Sequence, residues 1–118
     1  MERIVELARR LGREIRGHER FTRLLNVEAA VKANEEAKGL LQALEQQSGK
    51  IAELQNLNRP IEVEDKHKLQ DLRDKAHANP LLQELARAEA DYMELMTRVN
   101  QAMHEELYAA EKELHGAG

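Results

Sequence analysis

Asn79-Pro80-Leu81-Leu82-Gln83-Glu84-Leu85 opens the stretch that decides the fold, because behind it Leu85, Ala88, Tyr92, Leu95, Val99 and Ala102 recur every three or four residues. That is the spacing of one face of an α-helix, and Leu82, Met96, Met103, Leu107, Ala110 and Leu114 widen the face. Asn favours the position before a helix because its side-chain oxygen accepts a bond from an orphaned backbone N–H, and Pro at the first helical position loses no bond. A helix over 80–115 would extend about 54 Å at roughly 1.5 Å per residue. A compact domain of this length has a diameter of only about 35 Å. The chain's own elements therefore cannot cover the apolar stripe from end to end. We expect a second copy or another helical subunit to bury much of it, since a water-facing seam invites aggregation. The alternative is an elongated monomer with a frayed tail over 109–118.

The same punctuation appears 45 residues upstream, where Asn34-Glu35-Glu36-Ala37 starts a second leucine-rich run. Early Glu residues suit the positive end of the helix dipole. From there Ala37, Leu41, Leu44, Ser48 and Ile51 alternate by four and three, flanked by Leu40, Leu54 and Leu57, which is a heptad seam over 34–57. Asn58-Arg59-Pro60 stops it, because the residue before Pro is pushed out of the helical region and Pro donates no bond. A helix over 62–77 carries Leu69, Leu72 and Ala76. Nearer the N-terminus, Ile4, Leu7, Ala8, Leu11 and Ile15 define an amphipathic helix over 2–16 ending at Gly17. Phe21, Leu24, Leu25 and Val31 define another over 18–32. The expected fold is all-α: one domain over 1–118, an antiparallel hairpin bundle of about five helices with a long C-terminal helix and coiled-coil-like seams. Pro60 and Pro80 exclude a simple rod, because they force the chain to reverse.

Composition agrees. Of 118 residues, 34% are charged and 3% aromatic, which suits solvated helices with Leu and Ala seams rather than sheets. The absence of Cys excludes disulfides, thiolate zinc sites and cysteine nucleophiles within this chain. The N-terminal residues Glu2, Arg3, Ile4, Val5 and Glu6 alternate charge with apolar groups, so no signal peptide and no membrane span is expected, and the chain reads as cytoplasmic.

No pattern carries catalysis. Glu64 and His67 form a single E-x-x-H, whereas bundle di-iron sites use two with a Glu from each of two further helices. Asp74 and His77 repeat the spacing, but His67 and His77 lie about 280° apart around one helix and diverge. Ser48, Thr22, Thr97, Tyr92 and Tyr108 have no adjacent His and no strand-turn-helix elbow. No cofactor is expected, and a metalloenzyme of the bundle type is the least favoured class. Charge is more informative. Residues 1–33 hold eight Lys or Arg against five Glu, a balance of +3, leaving ten against seventeen and −7 for the remainder. Arg9, Arg13, Arg16 and Arg20 step by four, three and four, a candidate charged contact face if the helix runs through Gly17. Interleaved glutamates, the scarcity of stacking aromatics and the acidic remainder argue for a solvated face or intersubunit ion pairs, and direct RNA binding is not expected.

The order Phe21-x-x-Leu24, Val31-Lys32-Ala33-Asn34-Glu35-Glu36-Ala37 running into Leu40-Leu41, a break at Pro60, then Asn79-Pro80-Leu81-Leu82 and Ala88-Glu89 before a long final helix resembles the YlbF/YmcA family of small bacterial regulatory proteins. The resemblance spans nearly the whole chain. It implies an all-helical, oligomer-forming cytoplasmic protein without catalytic activity. Relatives act as regulatory subunits in competence, biofilm and sporulation control, and as partners that direct an endoribonuclease in RNA maturation. Some carry C-terminal cysteines that help hold iron–sulfur clusters; this chain has no Cys, so cluster binding is not carried over. The expectation is a regulatory adaptor forming a homo-oligomer, a dimer in the first instance, or a hetero-oligomer with related helical subunits, with a ribonuclease partner implied by the resemblance alone. The candidate interface is Leu85, Tyr92, Leu95, Met96, Val99 and Met103 on the last helix. The other class is a structural or chaperone-like helical homo-oligomer with no specific partner.

Overall fold

The computed structural model describes residues 1–116; Ala117 and Gly118 lie outside the described residues, and with them the end of the 109–118 tail. The described residues fold into five helices: α1 Glu2–Arg16, α2 Glu19–Ala33, α3 Glu35–Asn56, α4 Val63–Ala78 and α5 Pro80–Gly116. No strand occurs among the described residues. Each boundary lies within a residue or so of its sequence expectation, and the side chains explain why. Asn34 Oδ1 accepts from Ala37 N–H at 2.9 Å and Asn79 Oδ1 from Leu82 N–H at 3.1 Å, so both Asn residues are working N-caps. His18 Nδ1 takes the corresponding role for α2, accepting from Arg20 N–H at 3.1 Å.

The end of α3 differs from the simple proline stop. Asn58 adopts the left-handed conformation, φ 54°. Its N–H reaches the Gln55 carbonyl, while Arg59 N–H reaches the Leu54 carbonyl at 2.9 Å. This is the paired closure usually built on glycine, here supplied by the Asn that tolerates positive φ. Gly17 ends α1 in an ordinary right-handed conformation, φ −84°.

The helices form two antiparallel pairs. α2 lies against α5, with Arg20 and Arg23 level with Asp91 and Glu94, and α3 folds back on α4, with Gln47 and Lys50 level with Asp65. Leu24, Val27 and Val31 of α2, Ala37 of α3, Ala76 of α4, and Leu82 and Ala88 of α5 make the core, with Leu40, Leu41, Leu81, Leu85 and Tyr92 packed around it. Ala37 and Ala88 are 0% exposed, small side chains fully enclosed by the packed helices. The expected α3 seam shifts by one position: Ser48 is exposed and Gln47 points inward. The burial is tolerated because Gln47 Nε2 donates to the Asp65 carbonyl at 2.9 Å.

Candidate interaction faces

Ion pairs and an aromatic contact fix α5 on α2. Arg23 Nη1 meets Asp91 Oδ2 at 3.0 Å, and Arg20 Nη1 donates to the Asp91 carbonyl at 3.1 Å while lying 3.9 Å from Glu94. Beside them the Phe21 and Tyr92 rings sit with centroids 5.7 Å apart. On the other pair, Lys50 Nζ donates to Asp65 Oδ1 at 2.9 Å. This bond holds the Asp65 carboxyl below its ordinary value, against the opposing effect of partial burial, and in return the bond and the carboxylate charge raise Lys50.

The candidate interface residues divide along α5. Leu85 and Tyr92 pack on the chain's own core. Leu95, Met96 and Val99 are half-buried, and Met103 is 50% exposed. Beyond Val99 every described residue of α5 is exposed, including Leu107 at 66%, Tyr108 and Leu114. α1 is in the same condition: it has no buried residue, and Ile4 at 72%, Leu7 and Leu11 present its apolar stripe to solvent. Sequence periodicity identifies both stripes, but that the α1 stripe from Ile4 to Leu11 is exposed emerges only from the packing.

The four arginines do not share one face. Gly17 and His18 interrupt the helix, so Arg20 turns onto α5. Arg9 and Arg13 both hold Glu6, at 3.3 and 3.2 Å, and Arg16 has no ion-pair partner among the described residues. Glu64, His67, Asp74 and His77 are all exposed on α4, and among the described residues no three His, Cys, Asp or Glu side chains assemble as a metal-binding group. An open trough of about 610 Å³ lies between α2 and the start of α5, lined by Thr22, Arg23, Asn26, Val27, Ala30 and Glu84 among others.

Against known proteins, residues 4–108 match the family described as control of competence regulator ComK, YlbF/YmcA. The chain belongs to the YlbF/YmcA family. Among solved structures, this family member is similar to Bacillus subtilis RicA, solved in complex with RicF, with a TM-score of 0.75 at 17% identity over 86% of this chain and 90% of that one. It is also similar to a protein of unknown function (DUF964) from Bacillus stearothermophilus, with a TM-score of 0.72 at 23% identity over 89% and 92% of the two chains. At those identities the likeness establishes a shared fold. No curated protein matches the chain. As a YlbF/YmcA protein it belongs to a regulatory family, and no described helix is long and apolar enough to cross a membrane.

Proposed function

We propose that the protein is a non-catalytic regulatory adaptor of the YlbF type, working in the cytoplasm through complexes with its own or related helical subunits. The observation that carries this is the apolar stripe of α5, which outruns the bundle that should bury it and emerges at Met103, Leu107 and Leu114. Such a seam has value to a soluble protein only when another helix covers it. The interface expected at Leu85, Tyr92, Leu95, Met96, Val99 and Met103 is continuous with this stretch; its first members anchor α5 to the body, and its last members meet the partner. A relative in fold, RicA, was solved in complex with RicF, which supports association of this chain with a related subunit. Competence, biofilm and sporulation control, and the direction of an endoribonuclease in RNA maturation, are the roles that family membership suggests.

The test is crosslinked recovery of the tagged chain from its native host. Retrieval of a related helical protein or a ribonuclease, weakened by Val99→Asp or Met103→Asp, is expected. Recovery of the chain with only copies of itself would instead support the structural homo-oligomer.

A further inference from the structure

A single residue makes the break between α1 and α2. Gly17 already lies in the right-handed helical region, with φ −84° and ψ −5°, and α2 begins at Glu19, so the bend is the work of His18, extended at φ −77° and ψ 143°. Gly17 does not impose it, since a Cβ there would meet nothing closer than the Glu14 carbonyl oxygen at 3.7 Å. Turning the His18 ψ to about −42° would run Glu2 to Ala33 into one helix. Packing opposes that turn only weakly. α1 has no buried residue, and Ile15 is its one half-buried side chain.

The His18 side chain supports the bend it makes. In a continuous helix Arg20 N–H would donate to the Arg16 carbonyl; in the bent joint it donates to His18 Nδ1 at 3.1 Å. An imidazole accepts through Nδ1 only while neutral, with its proton on Nε2, and once protonated both nitrogens donate. Protonation therefore abolishes the cap, and histidine is the side chain that changes charge between pH 5 and 8.

Charge does not offset that loss in the bent joint. Three elements bring charged groups to it: Arg13, Glu14 and Arg16 from α1, Glu19 and Arg20 from α2, and Asp91, Glu94 and Arg98 from α5. Arg13 holds Glu6, Arg23 holds Asp91, and Arg20 and Arg98 share Glu94. Among the described residues no carboxylate lies within ion-pair distance of His18. In a straight joint Glu14, four residues earlier, shares a helix face with His18 and suits a positive ring. The helix dipoles oppose one another, because a cation at the joint is attracted by the end of α1 and repelled by the start of α2.

We propose that the α1–α2 joint is a proton-operated hinge, bent while neutral His18 caps α2 and straight once His18 is protonated. It is independent of the adaptor function. The cap needs the unprotonated ring, so acid drives the joint toward the straight form and base restores the bend. Swinging α1 changes the direction in which Ile4, Leu7 and Leu11 are presented relative to the body.

The chain has no Cys, so two can be introduced as sole attachment points for nitroxide labels. Arg3→Cys and Ala29→Cys are exposed positions on α1 and α2, and a continuous helix would hold them about 39 Å apart, a separation that any bend shortens. Pulsed dipolar spectroscopy on the doubly labelled full chain, diluted with excess unlabelled chain, reads the distance at pH 8 and pH 5. At pH 8 the shorter distance should dominate, and at pH 5 the ratio of straight to bent joints should rise roughly fivefold, the effect of losing one cap. His18→Asn, a cap without a titrating proton, should stay bent at both pH values. His18→Ala should give the raised straight fraction already at pH 8. An unchanged wild-type distribution overturns the proposal, as does a His18→Ala chain that stays bent at pH 8. A pH response that survives His18→Asn overturns it by assigning the effect to another group. A broad distribution at pH 5 with no maximum near 39 Å overturns it too, because the joint would then fray instead of straightening.

Discussion

Asn34 and Asn79 work as caps through one side-chain oxygen each, and removing that oxygen leaves a backbone N–H without its partner. Asn34→Ala and Asn79→Ala should each cost about 1 kcal/mol, within roughly 0.5 to 2, measured by urea denaturation. Both caps are visible in the sequence because the cap and the N–H it serves are three residues apart. The Lys50–Asp65 pair is not visible there. It joins helices separated by the Pro60 turn, and its position depends on how α4 docks on α3. Asp65 is lowered by the bond from Lys50, so its contribution to stability is present above the ordinary carboxylate value of about 3.9 and is lost as pH falls through the lowered folded value. Lys50 is raised, so its contribution holds below about 10.4 and is lost as pH rises through the raised value. The difference in melting temperature between wild type and Asp65→Asn should therefore be constant near neutrality and shrink in strong acid. A difference that persists at low pH would show that the ion pair is not its source.

The helices differ in what holds them. α5 is pinned in its first half by Leu82 and Ala88 in the core and by the Phe21–Tyr92 contact, whereas beyond Val99 all of its described residues are exposed. Leu82→Ala should cost about 2 to 5 kcal/mol, the range for emptying a buried leucine site. Leu107→Ala, at a position 66% exposed, should leave the stability of the isolated protomer within about 0.5 kcal/mol and act on association instead. Equilibrium unfolding at low and high protein concentration separates the two effects. At this scale the sequence reads well: five periodic segments become five helices because each stripe repeats at the helical period and each is bounded by a local stop. The α3 seam is the instructive exception. Ser48 continues the heptad by spacing, but Gln47 turns inward because the α4 backbone offers it an acceptor.

As a whole the protomer is long and open, with a radius of gyration of 20.8 Å and extents of 61 × 38 × 25 Å. A compact chain of this length would have a radius of about 13 to 14 Å. The excess lies in α1 and the free half of α5, neither of which contributes to the core. Truncation after Asn100 should accordingly leave a folded α2–α5 bundle that melts as the isolated protomer does, while abolishing association, as read by circular dichroism and sedimentation together. Loss of the folded bundle on truncation would mean that the tail supports the core. By itself, the sequence determined the all-α class, the five helices and their ends, the family, and the expectation that the last helix outruns its bundle. These follow from short-range rules: a helical period, a cap three residues from its target, a proline that cannot donate. Only the tertiary structure decided that Arg20 leaves the arginine stripe to hold α5, that Gln47 and Asp65 meet, and that the α1 stripe from Ile4 to Leu11 is exposed. Those outcomes depend on which helix faces are already occupied, and occupancy is set by packing between segments far apart in the chain.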